Sequence, residues 1–382
     1  MTTESAPSTT PLRVVHANDL ESLEAHAAAW DALAAATAAA EPLLMTSHAW
    51  TASHLEHRLE PGTTWACYLA YEGEELLGVL PVVRRRHSLF GNWRPLLRVP
   101  CDFHTRDGDV ALAAGREAEA LRALLDAVRE KEGPYLELSF GGLRDGSPTL
   151  PALAAASRGA VHCAPDLAGR TLKVGDWETY EGGLKPKSRR NLRTARKRCD
   201  AAGAAVRVLD GAAAAPDLFH RFTELESSGW KAREGTSIES QATSRAFYET
   251  LVRRLAARGW LQWDVLQADD RWLAISLGVR FGRSLVLLKT AHDEAERKLS
   301  PGKVLLDAIL KRTFERRDAE VVDLLSDSAW LELWNMDRTP YHSAFLYPRG
   351  VLPVIFGSAP RKLRPLAKRL LRRAKPDDGS AS

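Results

Sequence analysis

The residues with the clearest chemical potential stand at a predicted helix start late in the chain, Ser300-Pro301-Gly302-Lys303. Ser is favoured at the N-cap of a helix, and Pro is favoured in its first turn. Gly302 has no side chain, so a ligand could approach the backbone closely. The free amide groups and the dipole of a helix start attract anions, and Lys303 adds a positive charge. The motif therefore predicts a site for a pyrophosphate, although an ordinary capped helix would show the same residues.

A second charged segment is the predicted helix at 187–202, which Gly203 ends. Eight cations lie between Lys185 and Arg198, and at helical spacing they surround the helix instead of forming one stripe. Its predicted buried edge consists of Leu192, Ala195 and Cys199. A solvated surface is the ordinary interpretation of such a run. Contact with RNA, with phosphate or with an anionic acceptor is the functional one.

The last segment of the chain is also basic. From Ser358 onward it has eight Lys and Arg residues against Asp377 and Asp378, whereas the whole chain has a formal charge of +4. Its apolar residues on one side of a helix are Leu363, Leu366, Leu370 and Leu371. This pattern favours docking on an anionic membrane surface, and a disordered tail or a protein contact is the alternative.

The composition limits the function classes. The 382 residues suffice for two domains, and 45% apolar side chains supply a core for each. The start does not resemble a secretory signal and no apolar run is long enough to cross a bilayer, so we expect a cytoplasmic protein, at most peripheral to the inner face of the membrane. The four scattered cysteines predict neither disulfides nor a metal site. Because the chain outside the tail is slightly acidic, general attraction to nucleic acid is not expected.

The elements that must position these residues form two units. In the first, we predict a strand at 12–15, helices at 19–40 and 47–59, a hairpin of strands at 65–71 and 76–83, a helix at 116–131 and a strand at 135–140. The predicted divisions are a disordered arm at 1–10, an N-terminal domain at 11–165, a C-terminal domain at 166–350 and the basic tail at 351–382.

The second unit repeats this plan with stronger signals. Its predicted elements are strands at 170–174 and 206–209, helices at 216–228 and 243–258, three strands at 260–267, 272–281 and 284–290, a helix at 304–316, and strands at 321–325 and 342–347. A meander of antiparallel strands followed by helix, strand and strand predicts an α+β fold, not a doubly wound parallel sheet.

Three motifs in this unit resemble the CelD-type acetyltransferases, the double-GNAT branch related to the Fem peptidyltransferases. They are the basic helix from Lys187 to Arg193, the segment Ser228-Gly229-Trp230-Lys231, and the run from Thr290 to Asp293 with Leu299 to Leu306. The resemblance covers 170–347 well and the first half loosely. It implies a bacterial, acyl-CoA-dependent N-acyltransferase without a metal, built from two tandem GNAT-like domains, each a mixed, mainly antiparallel sheet flanked by helices.

The resemblance also implies positions for the ligands. Acyl-CoA is expected in a splay between the strands at 272–281 and 284–290, with its pyrophosphate over the helix start. The expected donor-binding residues are Gly278, Leu288, Ser300, Pro301, Gly302 and Lys303. The expected acceptor-binding residues are Trp230, Lys231 and Arg189. Where the family often has Asp-Phe-Leu and a later aromatic-Lys pair, this chain has Asp323-Leu324-Leu325 and Trp330-Leu331. The identity of the acceptor therefore cannot be carried over from the family to this chain.

Acyl transfer from a thioester to an amine is helped by a base for the amine, a donor for the oxyanion and an acid for the departing thiolate. His292 and Asp293, at the end of the strand beside the expected thioester, are the candidates for base or for acceptor positioning. Their alternative is a solvent-exposed pair at a strand end. The resemblance suggests Tyr341 as the acid, with a packing role as the alternative.

Two other hypotheses stay open. A Fem-like transferase that uses aminoacyl-tRNA would explain the basic helix, whereas the Ser-Pro-Gly helix start favours CoA. A catalytically degenerate GNAT scaffold could bind a partner or a membrane through the tail. The chain has no G-x-S-x-G, no glycine-rich phosphate loop and no HExxH, which argues against serine hydrolases, kinases and metalloproteases. The amine acceptor could be a sugar, a peptide, a lipid or a natural-product intermediate.

Overall fold

The computed structural model describes residues 11–36, 43–214, 216–227 and 238–355. Its strands are β1 (Arg13–Ala17), β2 (Thr64–Glu72), β3 (Glu75–His87), β4 (Gly91–Arg98), β5 (Ala111–Leu112), β6 (Glu137–Arg144), β7 (Ala160–Lys173), β8 (Ala204–Asp210), β9 (Leu261–Ala268), β10 (Arg271–Phe281), β11 (Ser284–His292), β12 (Val321–Asp323) and β13 (Asp337–Tyr347). Its helices are α1 (Leu20–Glu24), α2 (Ala27–Ala36), α3 (His48–His57), α4 (Glu117–Glu132), α5 (Thr149–Ala156), α6 (Trp177–Gly183), α7 (Pro186–Ala201), α8 (Leu218–Ser227), α9 (Ala242–Ala257), α10 (Pro301–Arg316) and α11 (Val351–Pro353).

The described strands form one sheet with a repeated plan. Their order is β1-β2-β3-β4-β6-β13-β7-β12-β11-β10-β9-β8, with β5 paired to β3. Neighbours are antiparallel except for β4 with β6 and β11 with β12. Each half therefore contributes four antiparallel strands in chain order and then one parallel step. The predicted α+β class, with two similar units of mixed, mainly antiparallel sheet flanked by helices, is confirmed.

The two halves meet where the last strand of the chain enters the sheet. β13 lies between β6 of the first half and β7, antiparallel to both. β7 runs unbroken from Ala160 to Lys173, so the predicted boundary between residues 165 and 166 falls within a strand. Most of this strand was not predicted, because its main partner β13 lies far away along the chain and local residue signals do not report such pairing.

Most other elements lie close to their predicted positions. Asp19 caps α1 by accepting the Ser22 N–H at 2.8 Å, but the single helix predicted at 19–40 is two helices, α1 and α2. The predicted buried edge of α7 is confirmed and is extended by one residue: it comprises Ser188, Leu192, Ala195 and Cys199. Strand β4 and helices α5 and α6 were not predicted. The predicted arm at 1–10 and nearly all of the basic tail lie outside the described residues.

The helices cover both faces of the sheet, and one core joins the halves. On one face of the second half, α7 and α10 pack together over β10 and β11. On the other face, α9 packs against α3 of the first half, with the Trp50 and Phe247 ring centres 5.6 Å apart in an edge-to-face arrangement. Because this apolar cluster includes residues of both halves, the halves share a core on this face of the sheet.

A buried ionic cluster also joins the halves. The Arg144 guanidinium, at the end of β6, lies 2.9 Å from the Asp107 carboxylate and 2.5 Å from that of Asp323, the last residue of β12. All three side chains are less than 10% exposed. Separating the end of β12 from the first half would leave Asp323 as a buried charge without its cation, which costs free energy. The cluster therefore fixes the end of β12 against the first half.

Candidate functional site

The candidate cleft for the donor lies beside β11 on the side of β12, one strand away from the predicted position between β10 and β11. β10 and β11 are paired along their length, from Ala274 with His292 to Phe281 with Ser284, so the splay expected between them is wrong. Instead, the parallel ladder of β11 with β12 is short, because β12 ends at Asp323. Their parallel pairing ends after three residue pairs, at Val286 with Asp323, whereas β11 continues to His292. The sequence showed both strands but not which neighbouring pair has the short ladder, because that depends on the register between them.

A bulge in β11 lies directly beyond the last β11–β12 pair. Leu277 of β10 is opposite Lys289, and the next residue, Gly278, is opposite Leu287, so Leu288 is an extra residue without a partner on β10. A bulge bends its strand and frees backbone groups from the ladder, which is why bulges are frequent beside active sites. The two strand residues predicted to bind the donor, Gly278 and Leu288, thus lie at the mouth of the cleft. Their binding role stays a prediction.

The predicted helix start is present and lies next to the end of β11. Ser300 is the N-cap of α10 with φ +55°, and Pro301 is the first helical residue. The Ser300 side chain does not cap the helix. Its carbonyl instead accepts the N–H groups of Lys303 and Val304 at 3.0 and 3.2 Å. The helix start is therefore organised by the backbone, with the Lys303 side chain exposed.

His292 lies against this helix start. A Cβ atom built on Gly302 would be 3.3 Å from His292 Nδ1 and 3.6 Å from Cγ, so the ring faces the bare backbone of the helix. The structure therefore brings together His292 and Gly302, two predicted site residues that are ten positions apart. Both are half-buried, and an anion at the helix end would also contact the imidazole.

The loop between β11 and α10 is held at both ends. Asp293 donates its N–H to the Leu273 carbonyl at 2.9 Å, and its carboxylate accepts the Ala295 N–H at 2.9 Å. From α7, the Arg198 guanidinium donates to the Lys298 carbonyl at 3.1 Å. One carboxylate oxygen of Asp293 thus has a structural role, which is consistent with the strand-end alternative and leaves its other oxygen available.

The opposite face of β11 carries a polar cluster that the sequence analysis did not identify. Lys289 Nζ lies 3.4 Å from the Glu226 carboxylate and 5.3 Å from the centre of the Tyr248 ring. His104, from the first half, lies with Nδ1 3.2 Å from the Tyr248 hydroxyl and Nε2 3.1 Å from Ser244 Oγ. The Glu226 carboxylate also accepts the Ile238 N–H at 2.8 Å. Four elements from both halves thus place polar or charged groups beside the bulge.

The environment of this cluster keeps its histidine neutral. Burial, with a further contribution from the Lys289 ammonium, lowers the pKa of His104 to about 4. Burial also raises the pKa of the Tyr248 hydroxyl well above its usual value. Near pH 7 the imidazole and the phenol are therefore both uncharged, and they can exchange hydrogen bonds with an acceptor without a change of charge. The charged members are Glu226 and Lys289.

Tyr341 is buried in the joint between the halves. It is 1% exposed, and its ring lies 5.6 Å from the Arg144 guanidinium carbon. Its hydroxyl has no hydrogen-bond partner among the described residues, and a Cβ atom on Gly169 would come within 2.2 Å of it. Burial raises the pKa of the phenol. This packing matches the alternative given for Tyr341, and its role as an acid stays a prediction.

Of the three predicted acceptor residues, Arg189 is the one that the described part of the chain includes. Trp230 and Lys231 lie outside the described residues. Arg189 is half-buried on α7, whereas the described hydrogen bonds from α7 to the loop before α10 come from Arg198 and Cys199. Nine residues separate Arg189 from Arg198, which is about 14 Å along a helix. Arg189 and Gly302 therefore do not share a site in the described chain.

A sequence signal for part of the missed cluster was present. Asp102, His104, Asp107 and Asp109 fall within eight residues of a loop, a density of ionisable groups that is typical of functional loops. Glu226 and Tyr248 gave no such signal, because each lies in an amphipathic helix where a buried polar residue cannot be distinguished from an exposed one.

Residues 186–330 match the family model described as an acetyltransferase (GNAT) domain. This segment of the chain is therefore similar to a GNAT acetyltransferase domain. The match includes α7, the bulge and the start of α10, so the predicted GNAT kinship is confirmed for this part, whereas the CelD-type branch stays a prediction. No curated protein sequence matches the chain.

Solved structures share the fold across both halves. FemX is 13% identical, with a TM-score of 0.58 over 87% of this chain and 96% of its own. L-PGS from Bacillus licheniformis is 11% identical, with a TM-score of 0.53 over 94% of this chain and 98% of its own. A conserved protein of unknown function from Bacteroides thetaiotaomicron is 12% identical, with a TM-score of 0.52 over 88% of this chain and 99% of its own. At these identities the likeness concerns the fold.

Two absences apply to the described part of the chain. Residues 11–36, 43–214, 216–227 and 238–355 contain no group of His, Cys, Asp and Glu side chains that could hold a metal ion. None of the helices described there is long and apolar enough to cross a bilayer.

Proposed function

We propose that this protein is an N-acyltransferase that moves an acyl group from acyl-CoA to an amine. The observation that supports it is the coincidence of three features within the GNAT-like segment. The pairing of β11 with β12 ends at Val286, the bulge at Leu288 lies just beyond that point, and the start of α10 faces the end of β11. An extended thioester arm fits beside β11 where this pairing has ended, while its diphosphate lies at the helix start.

The helix start suits a diphosphate for reasons of backbone and charge. The first amide groups of a helix have no partner within it, and Pro301 has no N–H to contribute. The Gly302 N–H is therefore the first available donor, and no side chain covers it. The helix dipole and the exposed Lys303 ammonium both favour an anion. We assign the diphosphate of CoA to Gly302 and Lys303, with Ser300 and Pro301 shaping the turn.

The proposed reaction is a direct attack. The amine nitrogen forms a bond with the thioester carbonyl carbon, and the carbon–sulfur bond breaks. The amine loses a proton to a base, and the thiolate takes up a proton. We assign proton acceptance or amine positioning to His292 and Asp293, at the end of β11, and retain Tyr341 as the candidate acid. The cluster of Glu226, Lys289 and His104, on the other face of the bulge, is our candidate acceptor side.

A second donor class has one supporting observation. On α7, Arg196 is paired with Glu181 and Asp307, whereas Lys187, Arg190, Arg193 and Lys197 are exposed. Exposed cations at this density attract phosphate backbones. They favour a Fem-like donor, aminoacyl-tRNA, as the alternative. The open helix start favours CoA over this alternative, because it offers a compact site for one diphosphate.

Ligand-induced stabilisation separates these donors. Thermal shift measurements with acetyl-CoA, longer acyl-CoAs and tRNA, each at low and high salt, should show saturable stabilisation by CoA compounds. At one hundred times the Kd the native state gains about 2.7 kcal/mol. If tRNA stabilises the protein and CoA compounds do not, the donor is aminoacyl-tRNA and not acyl-CoA. Stabilisation by none of these ligands would favour a scaffold without activity. The four free cysteines support the cytoplasm as the proposed location.

A further inference from the structure

A cavity rich in arginine lies far from the cleft, at the outer end of β13. Its volume is about 560 Å³, and it is enclosed by the end of α4, by β4, by the segment before β7 and by the chain after β13. Four of its lining residues are Arg94, Arg129, Arg158 and Arg349. The lining includes no carboxylate. Tyr341 lies six residues from the end of β13, about 20 Å away along a strand.

Neighbouring carboxylates neutralise these cations only in part. Asp126 lies 3.3 Å from the Arg129 guanidinium and 2.8 Å from that of Arg158. Arg94 lies over the Trp93 ring at 5.0 Å, and the exposed Arg349 has no acidic partner among the described residues. Four positive charges thus line one cavity, and among the described ion pairs Asp126 is the carboxylate that neutralises two of them. Such an arrangement favours a phosphate-bearing ligand.

Exposed apolar side chains flank the cavity on two sides. On the hairpin of β3 and β4, Leu89 is 72% exposed and Trp93 is 64% exposed. After Arg349, Val351 is 72% exposed and Ile355 is 52% exposed. Large apolar residues at this exposure, next to arginines, are typical of surfaces that enter the boundary between lipid headgroups and acyl chains.

We infer that this arginine face, formed by the four arginines with Leu89, Trp93, Val351 and Ile355, docks on an anionic phospholipid bilayer and receives a lipid phosphate in the cavity. A nucleic acid backbone would match the cations but not the exposed aliphatic residues. The described chain ends beside this face at Ile355, and the 27 residues that follow contain eight Lys and Arg residues. Because this segment and the cavity are both positively charged, the segment is excluded as the occupant of the cavity. Its charge also adds to the attraction of the protein to the same anionic bilayer.

Vesicle sedimentation with the full-length protein tests the inference. We expect binding to vesicles of phosphatidylcholine mixed with phosphatidylglycerol, weak binding to phosphatidylcholine alone, and loss of binding at high salt. Arg349→Glu should weaken the partition by about tenfold or more, because it reverses one surface charge. Arg207→Glu, an equal charge reversal at an exposed position of β8, is the matched control and should bind like the native protein.

The apolar part of the face has its own test. Trp93→Ser should weaken vesicle binding while the fold and the CoA-induced thermal shift stay unchanged, because the residue is largely exposed and far from the cleft. Equal binding to both vesicle types would overturn the inference, as would equal loss in Arg349→Glu and Arg207→Glu. Full competition by soluble glycerol phosphate, with no contribution from Trp93, would assign the cavity to a free phosphate compound and refute the membrane role.

Discussion

The donor site can be tested by adding a carboxylate where the proposed diphosphate would lie. Gly302 occupies the second position of α10, and its φ is in the ordinary range, so an L-residue fits the backbone. The nearest atom to a new Cβ is His292 Nδ1 at 3.3 Å, which a small ring movement accommodates. We therefore expect Gly302→Ala and Gly302→Asp to fold, with the carboxylate of Gly302→Asp next to the free amide groups.

The magnitude follows from Coulomb's law. Two unit charges 4 Å apart repel by about 4 kcal/mol at the effective dielectric constant of about 20 found near protein surfaces. A loss of about 4 kcal/mol corresponds to about a thousandfold weaker binding. Gly302→Ala adds a methyl group without charge, so it should weaken CoA binding much less than Gly302→Asp.

Calorimetric titration with CoA measures both variants. Ala118→Asp is the control, because Ala118 is the second residue of α4, a helix of the same 16-residue length as α10. It adds the same charge at the equivalent position of a helix that does not border the cleft. If folded Gly302→Asp binds CoA as tightly as Ala118→Asp does, the diphosphate does not lie at α10 and the assignment is refuted.

Three further expectations follow. His292→Ala or Asp293→Asn should lower kcat by about a hundredfold or more with CoA affinity nearly unchanged, and full turnover in both would remove them from the chemistry. Burial lowers the pKa of His54 to about 4, so its stabilising contribution is lost as the pH falls below about 6.5. In urea titrations His54→Leu should therefore reduce the dependence of unfolding free energy on pH between 6.5 and 4, by about 1.4 kcal/mol per pH unit. Arg144→Met should destabilise the fold by about 3–5 kcal/mol in urea unfolding, because two buried aspartates lose their shared cation; an effect below about 1 kcal/mol would contradict this.

Features that depend on neighbouring residues were predictable. The start of α10 follows from Ser, Pro and Gly in sequence, and the buried edge of α7 follows from the spacing of its few apolar residues. In both cases the physical cause lies within one or two helical turns. Many of the strands were predictable for the same reason, since alternating residues and turns were visible even where the partner strands were not; the joining of both halves into one sheet was not predicted.

Features that depend on distant pairing were not predictable. The position of the cleft rests on the register between β11 and β12, which a crossover through α10 separates along the chain. The acceptor-side cluster needs His104 next to Tyr248, a contact across 144 residues. No local sequence pattern contains that information, because buried and charged side chains meet their partners only when the two halves pack together.

The first half has the equivalent of the cleft, and its own chain fills it. β4 and β6 also form a short parallel ladder of three residue pairs, which then ends. Beyond that point Gly108 donates its N–H to the Gly141 carbonyl at 2.7 Å, and a Cβ on Gly108 would lie 2.6 Å from the same oxygen. No thioester arm could enter there. The loop that closes this first cleft carries His104 and Asp107, which reach Tyr248 and Arg144. The first half therefore supplies the second half with polar residues and anchors the strand end that opens the proposed donor site.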